Sequence, residues 1–247
     1  MFRFVSTRVS ALAIAAALAS LAGIVPAGAQ TPDAGWQWTL APYLWASSLN
    51  GTLVVKGQKA DVDLSASDIW DHTDFGFMGM FVTRKGDWGF TGDFVTVDLS
   101  AESQLADVDP SLGIAAVQVV RRLSDAVDLT FGARYNRLEA NIDFNPPINT
   151  QVGKTREWVH PMVGVVLKTS REHRWHASLI ADFGGTGAHS DLTWQLFPSA
   201  GIKMAEWVSF EIGYRYLDTK YETGDGTDRF EYDVVYQGPV LGFAFTF

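Results

Sequence analysis

Between Trp207 and Asp218, hydrophobic and polar positions alternate one by one. Val208, Phe210, Ile212, Tyr214 and Tyr216 share one parity, and Ser209, Glu211, Gly213, Arg215 and Leu217 share the other. A strict period of two is the mark of a β-strand whose two faces meet different surroundings. The same alternation places Trp36, Trp38, Leu40, Pro42 and Leu44 opposite Gln37, Thr39, Ala41, Tyr43 and Trp45. It recurs in ten segments: 36–48, 74–84, 86–100, 111–122, 126–142, 156–168, 172–185, 191–203, 206–221 and 228–247. One short helix is predicted in 65–73, with Ser65 or Ser67 as its N-cap. A small hairpin turning at Gly57 precedes it.

The connections alternate in length. "RKGD", "LSDA", "TSRE" and "KMAE" are tight, whereas 49–73, 101–110, 143–155, 186–190 and 222–227 are longer and rich in turn formers. Short turns at one end and longer loops at the other are the asymmetry of a transmembrane barrel. The face contents agree. One face is large and aromatic; the other carries glycines, small residues and isolated charges, as a crowded lumen would. A soluble sheet would instead show water a face rich in Lys and Glu. The expected fold is therefore all-β, an antiparallel up-and-down transmembrane β-barrel of about ten strands, or twelve if the hairpin at Gly57 joins the wall. An even count puts both termini on the short-turn, periplasmic side. Trp36, Trp88, Trp175 and Trp207 all fall on the apolar face at short-turn ends, and read as an aromatic girdle at the membrane–water boundary.

The first 29 residues stand apart. Arg3 and Arg8 precede an apolar run from Ala11 to Val25, and Ala27-Gly28-Ala29 fits a small-residue cleavage site. This is the pattern of a secretory signal peptide, leaving 30–247 as the barrel. No later apolar run is long enough for a membrane-spanning helix. The formal net charge is −9, and −11 without Arg3 and Arg8. Such acidity argues against nucleic acid, which is bound by neutralising phosphates with Lys and Arg. The chain has no cysteine, so disulfides, thiolate chemistry and a lipid-anchored lipoprotein are excluded.

The chain ends "GPVLGFAFTF", with Leu241, Phe243, Phe245 and Phe247 on one face. This resembles the C-terminal signature of Gram-negative outer-membrane β-barrel proteins, a glycine followed by alternating aromatics ending at the terminus. Gly242, Phe245 and Phe247 match it; Val240 stands where the family often has a polar residue. The resemblance implies an assembly signal read by the barrel-assembly machinery. "WTLAPYLWASSLNG" followed by "WGFTGD" also resembles small porin-like, OmpA-like or OmpW-like barrels. It implies outer-membrane lipid and lipopolysaccharide as surroundings, a monomer, and location in the outer membrane. The architecture itself hosts pores, enzymes, adhesins and structural proteins.

Counting up from the short turns, Asp93, Arg134, His160, Asp182, Gln195 and Arg215 face the lumen near mid-height, with Glu211 one step below Arg215. Paired, these charges lock the wall and close the bore, since an unpaired buried charge is very costly. Open, they form a selectivity ring. The short helix is a further candidate plug. Enzyme chemistry has weaker signals. "AHSD" (His189, Ser190, Asp191) sits in a loop. "WDHTD" (Asp71, His72, Asp74) is similar to the acid–histidine sites of barrel proteases, without their paired acids on separate strands. His160 and His176 differ too much in height to share a metal, so no cofactor or metal is expected. The expected function is a non-enzymatic, porin-like or structural barrel with a polar, largely filled lumen and slow passage of small solutes at most. The alternative is a surface-binding or adhesion module using acidic outer loops (Asp107, Asp109, Asp225, Asp228), and after it a lipid-modifying enzyme.

Overall fold

The computed structural model describes residues 35–55, 57–102, 106–144, 151–170, 173–185 and 191–247. The expected signal segment lies outside them. The strands are β1 (Gln37–Trp45), β2 (Ser48–Val55), β3 (Gln58–Leu64), β4 (Thr73–Lys85), β5 (Trp88–Leu99), β6 (Ala101–Glu102) and β7 (Ala106–Arg122). They continue with β8 (Val127–Phe144), β9 (Gln151–Lys168), β10 (Trp175–Gly184), β11 (Leu192–Ala205), β12 (Val208–Thr223) and β13 (Phe230–Thr246). All ten segments read from the alternation are strands. Several run longer than expected: β7 begins at Ala106 and β9 at Gln151, inside segments read as loops.

Neighbouring strands pair antiparallel in the order β1-β4-β5-β7-β8-β9-β10-β11-β12-β13, and β13 pairs back onto β1 to close a ten-stranded ring. Within hydrocarbon no water can satisfy backbone N–H and C=O groups, so closure is obligatory for a spanning sheet. Twelve wall strands are not formed. Instead β2 continues β1 along the same edge of β13: Trp45 faces Val240 and Ser48 faces Gln237. Ala46 N–H bridges the break by donating to Pro239 O at 3.0 Å. The hairpin β2–β3 thus extends the wall upward.

The registers also set the tilt. From Thr39 the ring of partners runs through Val82, Thr91, Gln118, Gly132 and Met162. It continues through Gly184, Thr193, Thr219 and Val234 and returns at Gly51. The path comes back twelve residues up the β1–β2 edge, from Thr39 to Gly51. A stagger this large tilts the strands by roughly 35–45° and brings together side chains at different counts from their turns.

The barrel is polar and aromatic inside and apolar outside. Phe90, Phe94, Phe131, Phe183, Leu196 and Ile212 project outward and are exposed. Trp36, Trp88, Trp175 and Trp207 are exposed at the short-turn end, as is Phe247. The turn between β4 and β5 needs Gly86, whose φ is +59°. The seam is closed at the terminus: Phe247 N–H donates to Trp38 O at 2.9 Å, and Trp38 N–H to Phe247 O at 2.8 Å. Gly242 lies in this seam opposite Tyr43. A Cβ there would stand 2.6 Å from Pro42 O and 2.7 Å from Tyr43 Cβ, so the seam admits only glycine without a shift.

The predicted helix is α1 (Ala66–Asp71), capped by Ser65 in a reciprocal capping box. Asp68 N–H donates to Ser65 Oγ at 3.2 Å, and Ser65 N–H donates to Asp68 Oδ2 at 2.9 Å. No residue of α1 is buried and Trp70 is exposed, so the helix does not enter the lumen as a plug. With six residues it is too short to hide a face of its own.

Two outcomes are expected. Gly242→Ala should lower the refolded fraction in detergent without any assembly machinery, read by heat-modifiable gel migration. Phe247→Ala should refold nearly as the parent does, yet show reduced levels in cell envelopes. The hydrogen bonds from Ser65 hold the Asp68 carboxyl below its ordinary range. A depressed folded value means the cap is present above the unfolded pKa and is lost as pH falls through the folded one. The protection of the Ser65 amide against exchange, relative to its intrinsic rate, should therefore fall only under acid conditions.

Candidate functional site

The lumen is built in three layers. At mid-height, five of the seven expected belt residues join one chain of contacts. Arg215 on β12 pairs with Asp93 on β5 at 2.6 Å. Its Nε donates to Gln195 Oε1 on β11 at 2.7 Å. Gln195 Nε2 donates to Asp182 Oδ2 on β10 at 3.0 Å. Asp182 Oδ1 in turn accepts from Arg134 Nη2 on β8 at 2.8 Å. Arg134 Nη1 donates to Thr193 Oγ1 at 2.9 Å. Both arginines are fully buried.

Tyr43 completes the belt. Its hydroxyl donates to Asp93 Oδ1 at 2.6 Å and accepts from Arg215 Nη1 at 3.0 Å. The Arg215 guanidinium also stacks 4.7 Å from the Trp45 ring centroid. Sequence reading missed Tyr43, Trp45 and Thr193 as partners, although their parity already faced them inward. The β1–β13 closure brings Tyr43 beside a strand far away in sequence.

His160 is buried next to Arg134 across the β8–β9 ladder but donates to no member of this chain. Glu211 sits apart from the belt. It accepts from Ser209 Oγ at 2.6 Å and lies 2.7 Å from His176 Nε2. His176 is near the first residue of β10, whereas Met162, just beyond His160, pairs with the last one. The two histidines therefore lie at opposite ends of β10. Among the described residues no group of three or more His, Asp or Glu side chains converges as a metal site.

Above the belt the lumen is packed with apolar and aromatic side chains. Trp158 stacks on Tyr221 with centroids 4.9 Å apart and 6° between planes, and meets Tyr232 at 5.3 Å. Trp45 meets Tyr236 at 6.1 Å. Leu217 and Val234 are fully buried among them. This core sits inside the barrel, and it was not legible as such because inward aromatics look like ordinary wall residues.

Below the belt lies a cavity of about 760 Å³, reaching the short-turn end at Gln37, Asp125 and Thr246. Arg84 grips Asp128 with both terminal nitrogens, at 3.1 and 2.5 Å, and Lys168 binds the same carboxylate. Of the remaining enzyme candidates, Asp71, His72 and Asp74 lie in or just after the exposed helix α1. Asp71 ends α1, His72 caps it with Nδ1 2.5 Å from Asp68 O, and Asp74 is an exposed residue of β4. His189 and Ser190 lie outside the described residues.

No family model matches the chain, and no curated protein is similar to it. Solved structures are. The outer membrane protease OmpT from Escherichia coli is 8% identical, with 90% of this chain and 99% of that one covered and a TM-score of 0.60. The fold is that of the Gram-negative outer-membrane β-barrels. Ail, the attachment invasion locus protein of Yersinia pestis, is 14% identical over 86% of this chain and 99% of its own, with a TM-score of 0.42. Neisserial surface protein A is 12% identical over 87% and 100%, with a TM-score of 0.34. The location that goes with an outer-membrane barrel and its apolar outer band is the outer membrane.

Removing one partner of a buried ion pair strands the other charge, at about 3–5 kcal/mol. Arg215→Met should therefore lower unfolding stability by that order in a urea titration of the refolded barrel. Adding Asp93→Asn should recover part of the loss, since it removes the stranded carboxylate.

Proposed function

We propose that this barrel is a non-enzymatic, structural outer-membrane protein whose bore is closed. The observation that carries the reading is the unbroken chain from Asp93 through Arg215, Gln195 and Asp182 to Arg134. It crosses from β5 to β8 through side chains with almost no solvent contact. The aromatic layer above it forms a second barrier. Displacing either means exposing charges without partners or opening a packed core, and both are costly. A barrel of ten strands is little wider than one that side chains just fill, which favours the same reading.

The reading includes a monomer surrounded by outer-membrane lipid and lipopolysaccharide and delivered by the barrel-assembly machinery. The exposed apolar outer face and the terminal Gly242, Phe245 and Phe247 support it. The outward extension of β2–β3 above the wall favours, as a second reading, a surface-binding role for that end.

In a planar bilayer the refolded protein should be electrically silent. Two barriers in series imply that Arg215→Ala alone stays silent, whereas Arg215→Ala combined with Trp45→Ala and Trp158→Ala gives openings. Steady single-channel openings of the parent protein would overturn the closed-bore reading.

A further inference from the structure

The lower cavity has a charge arrangement that the belt does not explain. Its deep charges are matched: Asp93 pairs with Arg215, and Asp182 with Arg134. Nearer the mouth, among the described residues that line the cavity, Arg84, Lys168 and Arg122 face Asp128 and Asp125. Arg84 and Lys168 both hold the single, fully buried carboxylate of Asp128. Arg122 lies beside them and lines the same cavity. It carries no ion pair among the described residues, and its Nε is buried without a hydrogen-bond partner. Asp125, the remaining acid, is exposed on the turn and pairs with none of the three.

Two cations on one carboxylate and a third beside them repel one another, and a half-buried guanidinium N–H without an acceptor is costly. An added anion relieves both. The cavity wall between this cluster and the belt includes Val82, Val120, Val166, Met80 and Ile180. The volume, about 760 Å³, falls within the range of small-molecule pockets. A concave, partly apolar chamber with a few convergent charges is the usual form of such a site.

We propose that the periplasm-facing chamber binds a small organic anion, with its carboxylate or phosphate head on Arg122, Arg84 and Lys168 and an apolar body against the valine-lined wall. The site goes beyond the closed-bore reading and does not depend on it, because a conducting barrel would carry the same cluster.

Benzoate, its neutral analogue benzamide and inorganic phosphate serve as probes. Each is titrated calorimetrically into the refolded barrel in lipid nanodiscs at constant ionic strength. Benzoate should bind saturably, with benzamide at least tenfold weaker, and phosphate should compete with benzoate. Arg122→Gln should weaken benzoate at least tenfold, and Asp125→Asn should tighten it. Heat-modifiable migration checks that each variant is folded; Arg122→Met, which also removes the charge and should weaken benzoate to the same degree, serves if the glutamine variant is not. The proposal is overturned if benzoate and benzamide bind alike, if neither saturates, if phosphate fails to compete, or if a folded Arg122→Gln binds as the parent does. Conductance plays no part in this readout, so its failure is distinct from that of the closed-bore reading.

Discussion

Everything in this molecule follows from the need to pair each backbone N–H and C=O without water. An open sheet in hydrocarbon would leave two edges of unsatisfied groups, at several kcal/mol per group. The chain meets the constraint by joining β13 to β1, its last strand to its first. That seam rests on close approach at Gly242 and on the terminal hydrogen bonds between Phe247 and Trp38. Once the ring is closed with a stagger from Thr39 to Gly51, the height of every inward side chain is settled.

The lumen is then a packing problem in a tube of fixed width. Two buried arginines are tolerable only because each finds a carboxylate and further acceptors. Arg215 uses Asp93, Gln195 and Tyr43, and covers its flat face with Trp45. Arg134 uses Asp182 and Thr193. Above them aromatic side chains fill space that charges cannot, since a further polar layer would need still more partners. Below them the wall residues are smaller and a chamber remains. The buried belt and the chamber toward the short turns thus occupy different heights of one lumen.

Much of the wall was legible from the ten alternating segments, because alternation in a strand reports its two environments directly. The strands, their parity, the short-turn ends and the outward tryptophans all follow from local spacing. The outer extensions were harder. In β7 before Ser111 small or apolar residues alternate with acids across a stretch read as a loop, and in β9 before Arg156 no alternation marks the strand, although the backbone pairing persists in both. The helix in 65–73 was visible through its candidate N-cap, Ser65 or Ser67, but its reciprocal capping box and its place on the surface were not.

The sequence by itself determined that the chain forms strands with one lipid-like face, and which side chains point inward. Parity is a local property with a period of two residues, and it needs no partner. Only the tertiary structure decided which inward residues meet. Glu211 joins His176 rather than the belt, and Tyr43 joins it from the first strand. Asp128 gathers Arg84 and Lys168 from two other strands. Those contacts depend on the stagger accumulated around the ring and on the β13–β1 closure, which are properties of ten strands together and are carried by no single one.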